Sequence, residues 1–426
     1  MNVGFAKLQM APDLGFSDAV YGFGAGIFFI GYFLFEVPSN VILQRVGARV
    51  WIARIMITWG LLSSAFPFTG VIRWGTIATA LNCTDAELTF YVLRFLLGVA
   101  EAGFFPGIIL YLTYWYPSAR RAGAVALFMT AIAISNVIGA PMSGAIMQFM
   151  DGLSGWRGWQ WLFLVEGLPS VVAGLLVFVL LPDGPASAAW LSSREREVIQ
   201  GRIAQDEDLK RSLAGRHRFA DVFREVRVWA LTAVYFCIAM TFYAVNFWMP
   251  TMVQELGGAD AGLLGVGMLT AIPWGAAAAS MVWWARHSDR TGERRWHVAG
   301  GFFVACAGFL LLAMVPASPA IASIGALTLV TMGLLSALGT FWSIPTAFLS
   351  GTAAAAGIAW INSVGNLGGH VGPDFIGRVR TISGGSSDAA FVALAALALA
   401  GGSIVLVLPG LRPATADRAP APELVT

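Results

Sequence analysis

The sequence predicts an all-α polytopic membrane protein, and three observations support this prediction. Of its 426 residues, 57% are hydrophobic and only 12% are charged. The mean hydropathy is +0.72, more apolar than a soluble fold requires. Apolar runs of about 20 residues, the length that crosses a bilayer as a helix, recur along the chain.

The apolar runs divide into a group of five and a group of six, separated by a polar stretch. The first group is Val20–Leu43, Val50–Ile72, Leu88–Tyr116, Ala122–Met147 and Trp159–Leu181. The second group is Val228–Val253, Ala261–Trp284, Trp296–Val315, Ala320–Phe341, Gly351–Ile376 and Ala389–Leu408. We predict that each run forms one transmembrane helix.

This pattern predicts four segments. Residues 1–182 form an N-terminal transmembrane half, and residues 228–410 form a C-terminal one. Residues 183–227 form a cytoplasmic linker with an amphipathic helix, because Ser192 and Glu195 have capping-box spacing ahead of spaced apolar residues. Residues 411–426, rich in Pro and Ala, form a disordered tail.

Basic residues predict the orientation of the spans, since Lys and Arg are enriched in cytoplasmic loops. They concentrate in alternate loops and in the linker, including Arg45, Arg49, Arg54, Arg286, Arg290, Arg294 and Arg295. We therefore predict that the linker and the C terminus are cytoplasmic and that the chain starts outside. For a bacterial chain the membrane is the plasma (inner) membrane.

The run Leu88–Tyr116 carries two charged residues, Arg94 and Glu101, at membrane depth. They are seven positions apart, almost two helical turns, so they share a face roughly 10 Å apart along the axis. Charges at this depth face a bundle interior or a wet cavity. Two interpretations stay open: an ion pair that holds helices together, or a protonatable carboxylate in a transport pathway.

Further polar residues lie within the apolar runs. Glu36 is near the predicted cytoplasmic end of the first run, where we expect it to pair with an arginine of the cytoplasmic loops. Tyr243 with Asn246, and Asn362 with Asn366, have helical spacings and share a face. Both pairs are candidates for the wall of a substrate cavity, and helix-to-helix hydrogen bonding is the alternative.

The sequence lacks the motifs that several classes of function require. The chain has no GxxxxGK[ST] loop, which argues against an ATP-driven pump, and no HExxH or defensible Ser-His-Asp arrangement, so we expect no enzyme activity. The three cysteines have no metal-site spacing. We expect no cofactor, no metal and no nucleic-acid partner.

Five blocks of sequence together resemble the major facilitator superfamily, and within it the anion:cation symporter group of tartrate, phthalate, hydroxyphenylacetate and sugar-acid permeases. The blocks are Gly31–Asn40 with Arg45–Arg49, Leu93–Gly103 with Tyr114–Pro117, Trp159–Gly167, Ser288–Trp296 and Asn362–Gly369. They occur in order, the resemblance covers nearly the whole chain, and its type is that of the tartrate permeases.

The resemblance implies a function and a set of residues. The fold would be two six-helix halves around a central site, working as a monomer by alternating access. The activity would be proton symport of a small organic anion, with Glu101 as the proton-linked residue and Arg94 beside the substrate. The resemblance also implies conformational loops at Arg45, Gly47 and Arg49 and at Asp289 and Arg290.

The start of the chain departs from this family. Members carry an Asp-Arg pair shortly before an Asn-x-Gly-Phe-Ala motif, and this chain begins Met1-Asn2-Val3-Gly4-Phe5-Ala6. We therefore expect the first helix to be lacking, through truncation or a misplaced start, giving five plus six spans. An uncoupled facilitator and an inactive truncated transporter are the alternatives within this fold. A membrane sensor is a third, although no signalling domain is visible.

Overall fold

The computed structural model describes residues 2–213, 225–256, 262–314, 320–345 and 351–408. Over these ranges the chain is helical and contains no strand. The predicted disordered tail, residues 411–426, lies outside the described residues.

Helices α1 to α8 make up what we call the first half. Their bounds are α1 Asn2–Leu14, α2 Asp18–Val46, α3 Ala48–Ser63, α4 Thr76–Ala80, α5 Asp85–Glu101, α6 Phe104–Thr113, α7 Ser118–Phe149 and α8 Gly158–Leu180. Short 3₁₀ turns follow α3, α7 and α8 at Phe66–Phe68, Leu153–Gly155 and Pro185–Ser187.

Helix α9, Ser193–Leu213, leads to the helices that we call the second half. These are α10 Val226–Glu255, α11 Gly262–Thr291, α12 Arg295–Met314, α13 Ala320–Phe341, α14 Gly351–Gly365, α15 Gly368–Ile382 and α16 Asp388–Val407. Helix α9 begins with reciprocal bonds between Ser192 and Glu195, and the Ser192 hydroxyl holds the pKa of the Glu195 carboxyl below its usual value.

Ten helical segments in the described ranges are long and apolar enough to cross a membrane. The predicted run Gly351–Ile376 is instead two 15-residue helices, α14 and α15, separated at Asn366 and Leu367. The prediction also missed α1, because 13 residues are too few for a span and because Lys7 and Pro12 interrupt the apolar pattern.

Glycines allow the two halves to pack closely. Helix α2 lies against α15, and α7 lies against α11. A Cβ atom added to Gly22 of α2 would meet the Pro373 carbonyl oxygen at 2.5 Å. One added to Gly267 of α11 would meet the Ala140 carbonyl oxygen of α7 at 2.4 Å. Such backbone contact is how small residues bring helices together in lipid.

The halves meet mainly at one end of the bundle. We call it the Asp18 end, because it carries Asp18, Glu255 and Ser387, and we call the opposite end the Val46 end. At the Asp18 end the Gly377 Cα is close to Gly22, and Gly144 contacts Leu263. The pairs α2–α15 and α7–α11 are therefore in close contact in the part of the bundle nearest Asp18.

The span that contains Arg94 and Glu101 is not continuous. Helix α5 ends at Glu101, and α6 starts at Phe104 after Gly103, whose φ is +86°. The Ala102 carbonyl accepts a 2.6 Å bond from the Ser39 hydroxyl. A helix break within the membrane requires side chains that hydrogen-bond to the freed backbone groups.

We predict that Gly103→Ala destabilises the protein by about 2–5 kcal/mol, combining left-handed strain with overpacking. A Cβ atom there would lie 2.3 Å from the Ser39 hydroxyl. Gly152→Ala is the matched control, because Gly152 has a φ of +82° and open space around it. Thermal unfolding in detergent measures both variants, and equal losses would contradict the packing role of Gly103.

Candidate functional site

Glu101 is placed where α5 ends, beside the break. Its side chain is only partly buried, and none of the described residues donates a hydrogen bond to its carboxyl. Its charge interacts electrostatically with Arg94, Tyr32 and Tyr243. A carboxyl group beside an unwound segment, with part of its surface exposed, can exchange a proton where water reaches it.

Arg94 is buried, with 5% of its surface exposed. Its guanidinium donates to the Gly24 carbonyl at 3.2 Å and to the Ala25 carbonyl at 2.7 Å, both on α2. It also stacks near the rings of Phe28 and Phe247. Arg94 and Glu101 interact electrostatically, but Arg94 donates to backbone carbonyls and forms no ion pair with Glu101 in the part of the chain described.

Tyr243 and Asn246 lie on α10 where it faces the first half. The Tyr243 ring is 4.4 Å from that of Phe29 on α2 and 6.2 Å from that of Phe247. The Asn246 Oδ1 atom is buried and has no hydrogen-bond partner among the described residues. A buried amide oxygen without a donor marks a place where a water or a ligand hydroxyl completes the structure.

Glu36 pairs with Asn362 and Ser363 and with no arginine among the described residues, so the expected pairing was wrong. Its Oε1 accepts a 2.9 Å bond from Asn362 Nδ2, and its Oε2 accepts a bond from the Ser363 hydroxyl. Asn366 Nδ2 donates to Asn362 Oδ1 at 3.2 Å. Asn362 and Ser363 of α14 therefore contact α2 across the two halves, which local spacing could not indicate.

Four charged residues join the halves at the Asp18 end. Lys7 Nζ is 2.9 Å from Asp18 Oδ1. Arg380 bridges Asp18 at 2.9 Å and Glu255 at 2.6 Å. The two cations are buried, and both lie over the Trp248 ring. Sequence reasoning missed this cluster, whose one signal was the presence of charged residues at several predicted span ends.

The predicted conformational loops lie at the Val46 end. Gly47 ends α2 with a φ of +91°, and the Arg49 backbone N–H donates to Asp183 at 3.2 Å. Asp289 pairs with Arg294 at 2.6 Å. Neither contact joins the two halves, and the exposed Arg45 and Arg290 side chains also do not join these loops across the halves in the part of the chain described.

A cavity of about 540 Å³ opens at the Val46 end along α11. Its lining continues the face on which Gly275 approaches Val137 of α7. The lining residues among those described are Ala278, Ala279, Val282, Trp283, Arg286, His287 and Arg290. The opening has a basic rim formed by Arg286 and Arg290.

These placements give a bundle whose halves are joined at the Asp18 end and that has a cavity along α11 at the Val46 end. Glu101, Arg94 and Tyr243 lie between the two ends, next to the interface of the halves. Within the ranges described, no group of three or more His, Cys, Asp or Glu side chains is arranged to hold a metal ion.

Comparison with known proteins gives one family. The protein-family model described as "Major Facilitator Superfamily" matches residues 1–373. A protein of Agrobacterium vitis described as "Putative tartrate transporter" is 46% identical over 408 residues, covering 96% of this chain and 89% of the relative. The "Inner membrane transport protein RhmT" of Escherichia coli (strain K12) is 38% identical over 408 residues, covering 96% and 89%.

A solved structure shares the fold. The crystal structure of a D-xylose-proton symporter superposes with a TM-score of 0.72 at 14% identity, covering 96% of this chain and 94% of the symporter chain. This similarity concerns the arrangement of helices alone.

We predict that Arg380→Gln opens the Asp18 end, because removing one member of a buried ionic network costs about 3–5 kcal/mol. Arg378→Gln is the control. The Arg378 side chain, which pairs with Asp374, is 63% exposed, and exposed ion pairs contribute about 0–1 kcal/mol. Spin labels at Ser154 and Ser386, in a background without the three native cysteines, report the distance across this end.

The Arg380 variant should show longer label-to-label distances than the unmodified protein, and the Arg378 variant should not. Unchanged distances in a folded Arg380 variant would contradict a closing role for the cluster.

Proposed function

Because the chain belongs to the Major Facilitator Superfamily, we propose that it carries a small organic carboxylate across the inner membrane together with protons, by alternating access. That it is a multi-pass membrane transporter and not an enzyme follows from the family and the relatives. The proposal adds the substrate class, the coupling ion and the residues.

The observation that carries the proposal is the environment of Glu101. The carboxyl is at membrane depth, partly accessible, next to an unwound segment, and none of the described residues hydrogen-bonds to it. Keeping an unpaired carboxylate within a membrane costs on the order of 3 kcal/mol, so such residues are usually functional. A group that binds and releases a proton as access alternates explains its presence.

Arg94 supports an anionic substrate. Its Nε and Nη2 atoms are held by α2 carbonyls, while Nη1 has no acceptor among the described residues. Carbonyl oxygens orient the guanidinium but leave its positive charge uncompensated. A substrate carboxylate at Nη1 would gain a charge-assisted hydrogen bond, and the charge of Arg94 would favour proton release from nearby Glu101.

The distribution of arginines supports an orientation. If the Arg-rich loops are cytoplasmic, the Val46 end faces the cytoplasm and the Asp18 end faces outside. The structure would then be inward-facing, with the Lys7, Asp18, Arg380 and Glu255 cluster as the closed outer gate. The basic rim at Arg286 and Arg290 would attract the anion near the point of release.

The substrate class rests on polar groups of the second half. The unpartnered Asn246 Oδ1 is an acceptor for a hydroxyl, and Tyr243 and Asn366 add polar groups on the same side of the interface. Asn362 is occupied by Glu36 and Asn366, so its contribution would be to position them. A hydroxy-dicarboxylate such as tartrate, which a relative's description names, fits these groups.

Uptake into proteoliposomes tests the proposal. Purified protein should accumulate labelled tartrate, a sugar acid or an aromatic acid when the outside is acidic, and accumulation should collapse with a protonophore. Uptake that equilibrates without accumulating and ignores the gradient would indicate an uncoupled facilitator and contradict symport.

We predict that Glu101→Gln abolishes proton-driven accumulation, because an amide cannot exchange a proton, while exchange of labelled for unlabelled substrate persists. Glu101→Asp, which keeps a titratable group, is the matched control and should retain part of the accumulation. Accumulation by the Gln variant at the unmodified level would remove Glu101 from the mechanism.

We predict that Asn246→Ala raises KM for tartrate about tenfold, the effect of losing one hydrogen bond of about 1.4 kcal/mol. KM for succinate, which has no hydroxyls, should change little. Competition of each acid with labelled substrate measures the two effects. An equal loss of affinity for tartrate and succinate would contradict hydroxyl recognition by Asn246.

A further inference from the structure

Glu36 is a second carboxylic acid within the membrane, and its surroundings differ from those of Glu101. It is buried, with 3% of its surface exposed. Its two oxygens contact Asn362 and Ser363, which belong to α14 of the opposite half. The contact therefore joins residues that are more than 300 positions apart in the sequence.

The partners of Glu36 are neutral. The titratable groups that face it are Tyr32 on its own helix and Tyr235 on α10, with Glu101 of α5 beyond Tyr32. Arg54 of α3 donates to the Ala100 carbonyl and stacks on Trp51 instead. An ionised carboxylate without a cation is costly at this depth, so the site favours the neutral acid.

Glu36 lies where the closed interface ends. Along α2, residues on the Asp18 side of Glu36 pack against α15, as Gly26 does against His370. Beyond Glu36, Ser39 and Leu43 of α2 instead pack within the first half, against Gly103 and Gly107. Rocking of the halves moves α14 relative to α2, and so changes both the donors around Glu36 and its distance from water.

We propose that Glu36 is a second proton-binding site of the transport cycle, loaded and emptied as the contact with Asn362 and Ser363 forms and breaks. This inference rests on the proposed proton-coupled function and deepens it. With one proton on Glu36 and one on Glu101, a dicarboxylate dianion crosses with two protons and no net charge.

The chemistry of Ser363 suits such a site. A hydroxyl donates to a carboxylate and accepts from a carboxylic acid, so it can stay bonded in both states. The proton comes from the outer solution, sits on a Glu36 oxygen with its O–H directed to the Ser363 hydroxyl, and leaves to the cytoplasm when the contact breaks. Asn362 donates to the other oxygen while the contact holds.

The stoichiometry of coupling tests the inference. At zero membrane potential, one coupled proton gives about tenfold accumulation per pH unit and two give about 100-fold. We expect about 100-fold accumulation of labelled tartrate per pH unit for the unmodified protein in proteoliposomes, and about tenfold for Glu36→Gln. The Gln side chain keeps the shape and removes the titratable proton.

Glu166→Gln is the matched control. Glu166 accepts a 2.6 Å bond from the Ser143 hydroxyl, but both residues lie in the first half, away from α14. This variant should keep the slope of the unmodified protein. A Glu36→Gln slope equal to that of the unmodified protein would overturn the inference.

A second variant covers the case in which Glu36→Gln does not fold. Ser363→Ala removes the hydroxyl that bonds the carboxylate, so the uptake-versus-pH profile should move upward by about one pH unit, and an unmoved profile would overturn the inference.

If the unmodified protein shows no proton-driven uptake, the proposed function fails by itself. In that case the distance between labels at Ser154 and Ser386, recorded against pH without substrate, tests whether Glu36 binds a proton. A pH response that persists in the Glu36→Gln variant would overturn the inference.

Discussion

A charged group within a membrane needs a partner or water, and this constraint organises the interface between the two halves. At the Asp18 end, Lys7, Asp18, Arg380 and Glu255 neutralise one another. Arg94 is held by backbone carbonyls. Glu36 has neutral donors from the opposite half, and Glu101 has partial exposure. We therefore propose that these two carboxyl groups are where a change of conformation changes the free-energy cost of a charge.

Movement of the halves requires interfaces that hold at one end and release at the other. Glycine contacts between α2 and α15 and between α7 and α11 bring backbones together with few interlocking side chains. The interruptions at Ala102–Gly103 and at Asn366–Leu367 lie close to Glu101 and to the partners of Glu36. A shift of either half is thus transmitted directly to a carboxyl group or to its donors.

The sequence was sufficient for the fold and the family. Apolar runs revealed most spans, and five ordered blocks pointed to the superfamily that the comparisons then showed. The seven-residue spacing of Arg94 and Glu101 located the central region. The sequence did not reveal α1, because a 13-residue helix with Lys7 lacks the length of a span, or the ionic cluster around Arg380, because its members are hundreds of positions apart. Glu36 was assigned the wrong partner for the same reason: its donors lie across the interface.

Substrate-driven proton movement tests the central claim most directly, namely that protons enter with the anion on carboxyl groups within the membrane. Proteoliposomes containing a pH-sensitive dye, with equal pH on both sides, should acidify inside when tartrate is added outside, and empty liposomes should not. Tartrate entry without internal acidification would contradict the account.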